Sequence, residues 1–362
     1  MRSCAGDWVE VASKEEILAT LDENGRLEGM PFMPEMLEYC GKRFRVQSRA
    51  HKGCDPINPI RMRAIPNGVM LEGIRCGGSA HAGCQAACAI YWKQSWLKPV
   101  ASKDAPATAP VSVAPGKCTE QTVIDAAIAE KAASGKIRYS CQATEFPAFT
   151  GPLRTLNLSQ FAEDIDSRNS KPSAFIGMAF YFLYDFLFKP ERVETGEPAR
   201  KFYDQVQKVL GGVPYPRRRG VREDTKDVDL PILDLQPGEL VRVKPYEEIV
   251  ATLDRRNMHR GLMFDAEMVP YCGGVFRVRS RVENFLDERT GYPRKMKTPA
   301  IILENVWCRG HFSNARITCP RAIYTWWREG WLERAPEAQG VSIDGALGAK
   351  TILKPILHEF PT

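Results

Sequence analysis

The chain opens on a short alternation. Val9 and Val11 hold one face around Glu10, which predicts a strand over 6–11, although Trp8 on the other face is also apolar. Ser13 then stands where a helix N-cap belongs, with Glu16 three residues on to complete a capping box. Ile17, Leu18 and Leu21 carry the helix toward Asn24-Gly25. Pro34 suits a first helical position and predicts one helical turn over 35–39. Phe44 and Val46 alternate with Arg43, Arg45 and Gln47 in a second strand. A loop over 50–59 carries His51 and Cys54, and 61–76 reads as a hairpin turning at Pro66-Asn67-Gly68.

The pattern returns 232 residues later. Gly238 answers Gly6, Glu247 and Glu248 answer Glu15 and Glu16, and Phe264, Glu267, Met268, Tyr271, Cys272 and Gly273 answer Phe32, Glu35, Met36, Tyr39, Cys40 and Gly41. Cys308 answers Cys76 at the same offset, and about half the positions over 6–50 are identical in the two copies. Trp92 and Trp96 answer Trp327 and Trp331. Four residues apart, such a pair shares a helix face, either to close a small barrel or to offer an exposed stacking platform.

Between the copies, 99–117 is rich in Ala, Pro, Ser and Val and reads as a linker. Thr119 caps a helix through Ile124, Ile137-Arg138-Tyr139 is a short strand, and Asn157-Leu158-Ser159 opens a further helix. The aromatic run over 174–188 predicts a helix buried on all sides, with a membrane-surface helix as its alternative. It contains Asp185 and is shorter than a membrane span requires. Arg217-Arg218-Arg219, followed by Glu223 and Asp224, reads as solvated linker.

These elements predict an α+β protein: two tandem SH3-like small β-barrel modules flanking a helical middle domain. The boundaries are a first module over 1–98, a linker over 99–117, the helical domain over 118–212 and a linker over 213–237. A second module over 238–335 and a C-terminal tail over 336–362 complete it.

The 362 residues are 44% hydrophobic and 26% charged, enough for a buried core, and the net charge of +6 is too small for a dedicated nucleic-acid binder. Arginine-rich strand faces leave nucleic acid as a weak partner class. Residues 1–7 lack the apolar core of a signal peptide, and eleven cysteines in a chain of this size fit reduced thiols in a cytoplasm.

The densest chemistry lies over 76–88, where Cys76, Cys84 and Cys88 surround His81. With Cys54 brought close by the expected hairpin, four thiolates would bind structural zinc or hold an iron–sulfur cluster. No C-x-x-C pair occurs. Two H-x-x-C pairs do, His51 with Cys54 and His81 with Cys84, so either imidazole can replace a thiolate. In the second copy Leu286 stands opposite Cys54, and aligning on the Trp pairs shifts the offset to 235. Cys308, His311 and Cys319 remain as candidate metal ligands, with His259 a distant fourth. Cys141 is a candidate nucleophile.

The paired phrases SKEEILATLD…MPFMPEMLEYCGKRFRV and PGELVRVKPYEEIVATLD…EMVPYCGGVFRV resemble a family of uncharacterised bacterial proteins with the same duplication. The resemblance covers most of the chain; it implies this architecture and a bacterial setting and brings no catalytic residues. The function expected from the whole is a metal-binding adaptor or accessory protein with a protein partner and zinc. Its alternative is an iron–sulfur or other metal-dependent redox enzyme using Cys54, Cys76, Cys84 and Cys88. Peripheral membrane contact through 174–188 stands as a further partner class.

Overall fold

In a computed structural model the protein is a mixed α+β chain. Residues 2–58, 61–105, 114, 116–154, 157–187, 196–210, 212–225, 228–313 and 316–336 are described. The expected tail beyond 336, and part of the linker expected over 99–117, lie outside them. The chain divides into two compact units. The first comprises 1–170 with 284–295 and 315–323; the second comprises 171–283, 296–314 and the chain from 324 onward. The stretch 118–212, expected as one helical domain, is divided between the units at Ser170.

In the first unit, strands Trp8–Val11, Arg43–Arg49, Gly68–Arg75, Ala89–Lys93 and Leu97–Val100 form one antiparallel sheet. Counted along the chain, their spatial order is fourth, third, second, first, fifth. The strands Leu240–Val243, Val275–Leu286, Pro293–Trp307, Tyr324–Trp327 and Leu332–Arg334 have the same order in a second sheet. Register repeats too, with Val9 opposite Phe44 and Val241 opposite Phe276. A single 3₁₀ turn, Gln94–Trp96 or Glu329–Trp331, joins the fourth strand to the fifth.

Local chemistry accounts for these elements. Ser13 and Glu16 form the capping box of the helix Lys14–Thr20. Pro34 starts the 3₁₀ helix Pro34–Tyr39, and Thr119 caps Glu120–Ala126. The paired tryptophans lie on no α-helix: Trp92 is on a strand and Trp96 in the following 3₁₀ turn. All four, with Trp327 and Trp331, are fully buried, which removes the exposed platform and leaves them as core. Phe32 meets Trp96 edge-on at 5.4 Å, and Phe264 meets Trp331 at 5.5 Å.

The expected hairpin over 61–76 does not form. Met62–Ala64 pairs with Lys52–Cys54 and with Gly151–Leu153 in a separate three-stranded sheet, whereas Gly68–Arg75 pairs within the first five-stranded one. The turn moves the chain from one sheet to another. At Gly68 a Cβ would sit 2.6 Å from the Ala50 carbonyl oxygen, because the Ala50 N–H donates to the Gly68 carbonyl at 2.9 Å. The loop expected around Cys54 is accordingly a strand.

The helix Pro172–Leu187 is not buried all round. Met178, Tyr181, Tyr184 and Asp185 face inward, while Ile176 is 73% and Leu183 57% exposed. Asp185 settles which face is inside: its carboxylate accepts from the Tyr215 hydroxyl at 2.8 Å among packed tyrosines. Among the described residues no helix is long and apolar enough to cross a membrane. The arginine cluster is anchored rather than solvated, since Arg217 donates to the Phe312 carbonyl at 2.7 Å and Arg218 to Glu247 at 2.9 Å.

One polar contact recurs inside both cores. The Trp96 indole N–H donates to the Thr20 hydroxyl at 3.0 Å, and that of Trp331 to the Thr252 hydroxyl at 3.0 Å. Removing the acceptor strands a buried donor. Thr20→Val and Thr252→Val are each expected to lower unfolding stability by about 1–3 kcal/mol, read as a lower urea midpoint. Loss below about 0.5 kcal/mol in both would show the indoles satisfied elsewhere.

Candidate metal centre

The strand Gly68–Arg75 delivers the chain to Cys76, and the loop over 76–88 is closed at its base by the Cys76 N–H donating to the Cys88 carbonyl at 2.8 Å. Inside it the N–H groups of His81 and Gly83 both donate to the Gly78 carbonyl at 3.0 Å. Gly78 has φ +71, and a Cβ there would lie 1.9 Å from the Cys84 carbonyl oxygen, so only glycine permits this fold of the loop. The tight loop aims His81 inward.

Its partner is Glu35, a carboxylate on the 3₁₀ helix Pro34–Tyr39 that is buried with Met36. Glu35 Oε1 accepts from the Ala80 N–H at 3.1 Å and lies 3.0 Å from His81 Nδ1. His81 Nε2 lies 3.1 Å from the Ser140 carbonyl oxygen. A carbonyl only accepts, so Nε2 carries a proton, and Nδ1 is the nitrogen presented to Glu35 and to Cys76 Sγ at 4.0 Å. Burial pushes the Glu35 carboxyl upward, but the His81 hydrogen bond and charge, with backbone N–H donors, outweigh it and leave the group below its usual range. Glu35 Oε2 is buried with no hydrogen-bond partner.

Among the described residues, Glu35, Cys76 and His81 form the one group of three metal-capable side chains whose donor atoms all lie within 4.8 Å of one another. Cys76 and His81 also line a cavity of about 50 Å³ with Cys84, Cys88 and Cys141. A water needs about 10–15 Å³ and an organic ligand typically about 300 Å³ or more, so the space suits an ion or a few waters. Burial raises the thiols of Cys76 and Cys88 far above the ordinary range. It raises Cys141 to about 11, which leaves that residue a protonated thiol and a poor nucleophile at neutral pH.

The remaining sequence candidates fall elsewhere. Cys54 does not line the cavity; its N–H donates to Cys319 Sγ at 3.3 Å, and both belong to the first unit. The crossing of the chain at Gly68 removes the hairpin that would have carried Cys54 to Cys76. Cys308 and His311 belong to the second unit, so Cys319 is not their neighbour within one unit. His51 turns its Nε2 to the Gln160 carbonyl at 3.1 Å, and His259 turns its own to the Val228 carbonyl at 3.2 Å.

The second unit repeats the carboxylate without the imidazole. Glu267 accepts from the His311 N–H at 3.1 Å and the Phe312 N–H at 2.6 Å, and Ala80 and Phe312 keep the offset of 232. The insertion therefore falls after Phe312. His311 does not stand opposite His81, and no histidine follows it before Cys319. Sequence reasoning had paired Glu35 with Glu267 without reading either as a site residue; an acid retained in both copies among apolar neighbours was the available signal.

No protein-family model, no curated protein and no solved structure matches the chain.

Burial, with Arg309 nearby, pulls His311 down to about 4, below the ordinary histidine value of about 6.5. Between those two values the unfolded chain binds a proton that the folded unit refuses, so stability falls as pH drops through that window. His311→Gln is expected to flatten this fall, checked by melting temperatures from pH 7 to pH 4.5. Parallel curves for the two proteins would contradict it.

Proposed function

We propose that this chain is a metal-binding adaptor or accessory protein whose first unit holds zinc through Glu35, Cys76 and His81. The observation that carries the reading is the His81 ring. Its Nε2–H is committed to the Ser140 carbonyl, and Nδ1 points at a thiol and at a carboxylate whose second oxygen is buried without a partner. A metal-ligating histidine takes its orientation from such a backbone acceptor. Sulfur, nitrogen and oxygen donors in one cluster suit zinc, and three protein ligands leave a position facing the cavity. The small cavity favours an ion or a few waters over a large organic ligand.

The adaptor half of the reading rests on the two sheets. A strand order of fourth, third, second, first, fifth, with a 3₁₀ turn before the fifth strand, fits two SH3-like barrels, and two linked modules raise avidity for a protein partner. The cysteines, all free, fit a bacterial cytoplasm. A second reading has a specific observation in its favour: Cys76, Cys84, Cys88 and Cys141 ring one cavity without three of them converging on a point, an arrangement suited to an iron–sulfur cluster.

Elemental analysis of the full chain separates the two. About one zinc per chain is expected. Cys76→Ser and His81→Gln are each expected to weaken zinc binding by more than about 100-fold, since even outer partners are worth 10–100-fold. Because Cys76 is protonated before it binds, affinity is expected to rise with pH, up to about tenfold per pH unit for each proton released. Iron with sulfide would transfer the proposal to the cluster. Zinc retained in both variants would end the assignment to these residues.

A further inference from the structure

A second thiol pair borders the candidate metal cavity: neither Cys54 nor Cys319 lines that cavity, but their neighbours Tyr91, Glu288 and Arg321 do. Within the first unit, residues 316–323 pack along the strand Lys52–Cys54. Thr318 accepts from Lys52 Nζ at 2.7 Å and donates to Asp164 Oδ2 at 2.6 Å, and both charged partners are fully buried. This network holds Thr318 at φ +51, a left-handed conformation that a β-branched residue rarely adopts. The next residue is Cys319, whose Sγ accepts the Cys54 N–H at 3.3 Å.

The surroundings of the two sulfurs are those of a reactive pair. Arg321 Nη1 donates to the Cys54 carbonyl at 3.3 Å and to Cys54 Sγ at 3.7 Å, and its Nη2 pairs with Glu288 at 2.8 Å. The Tyr91 hydroxyl is 2% exposed as a residue, has no hydrogen-bond partner and interacts electrostatically with Arg321, Cys319 and Cys54. Burial holds that phenol neutral, so it remains a donor. A hydrogen bond with the Cys319 side chain, helped by the Arg321 charge, outweighs burial and lowers the Cys54 thiol to about 6. Each cysteine is buried, 5% exposed.

We propose that Cys54 and Cys319 are a peroxide-oxidised thiol pair that closes to a reversible disulfide. The Cys54 thiolate attacks one oxygen of hydrogen peroxide, the O–O bond breaks, and Cys54 becomes a sulfenic acid as hydroxide leaves. The Cys319 sulfur then attacks the Cys54 sulfur and displaces its hydroxyl. The two thiol protons end in the two waters formed, so two thiols and one peroxide give one disulfide and two waters. Arg321 is a positioning residue: it holds the Cys54 anion and keeps that sulfur facing Cys319. The bond ties residues 316–323 covalently to the strand that already holds them through Thr318 and Arg321.

The test uses the full chain, folded and treated with stoichiometric hydrogen peroxide, then alkylated and mapped without reductant by mass spectrometry. A linked peptide pair containing Cys54 and Cys319, lighter by two hydrogens and released by dithiothreitol, is expected. Cys319→Ser is expected to stop at a trapped sulfenic acid on Cys54. Arg321→Gln is expected to slow linkage at pH 7 at least about tenfold, as the thiolate fraction falls with a rising thiol pKa. The proposal is overturned if both thiols of the parent remain fully alkylatable, or if either passes to sulfinic acid with no linked peptide.

Discussion

A carboxylate taken out of water organises each half of this protein. Burying an unpaired charge costs several kcal/mol, so Glu35 and Glu267 must each gather donors around them. Both sit on a 3₁₀ helix between the first and second strands of a sheet, and both draw in the loop that follows the third strand. The backbone N–H groups of that loop become its attachment to the core. Fixing the loop in this way fixes where Cys76 and Cys308 emerge.

The two halves differ in how the charge is answered. Glu267 has backbone donors on both oxygens, from His311 and Phe312. Glu35 has Ala80 and His81 on one oxygen and nothing on the other. Both halves share the loop anchor, and in the first half a histidine nitrogen is brought against it beside Cys76. That difference is why the metal reading is attached to the first unit and to its cluster of three.

Much of the local structure was legible in the sequence because it rests on local chemistry. The capping box at Ser13 and Glu16, the turn after Pro34 and the strand around Phe44 depend on neighbours a few residues away. What was misread depends on distant partners. The Pro66-Asn67-Gly68 turn signals a reversal but not which sheet receives the chain. Trp92 and Trp96 have helical spacing, yet a strand followed by a 3₁₀ turn buries them equally well. Cys54 was placed with Cys76 by the expected hairpin, whereas its neighbour Cys319 lies 265 residues away. Glu35 was passed over as a site residue because its donors, Ala80 and His81, lie 45 and 46 residues further along the chain.

The atoms around the proposed ion distinguish a zinc centre from a cluster. Zinc-edge X-ray absorption of the full chain, purified with its native metal, reads those atoms directly. The expected result is a mixed shell, with one sulfur near 2.3 Å and nitrogen or oxygen near about 2.0–2.2 Å, and with the sulfur lost in Cys76→Ser. A shell of nitrogen and oxygen alone, or of sulfur alone, would contradict a centre built from Glu35, Cys76 and His81.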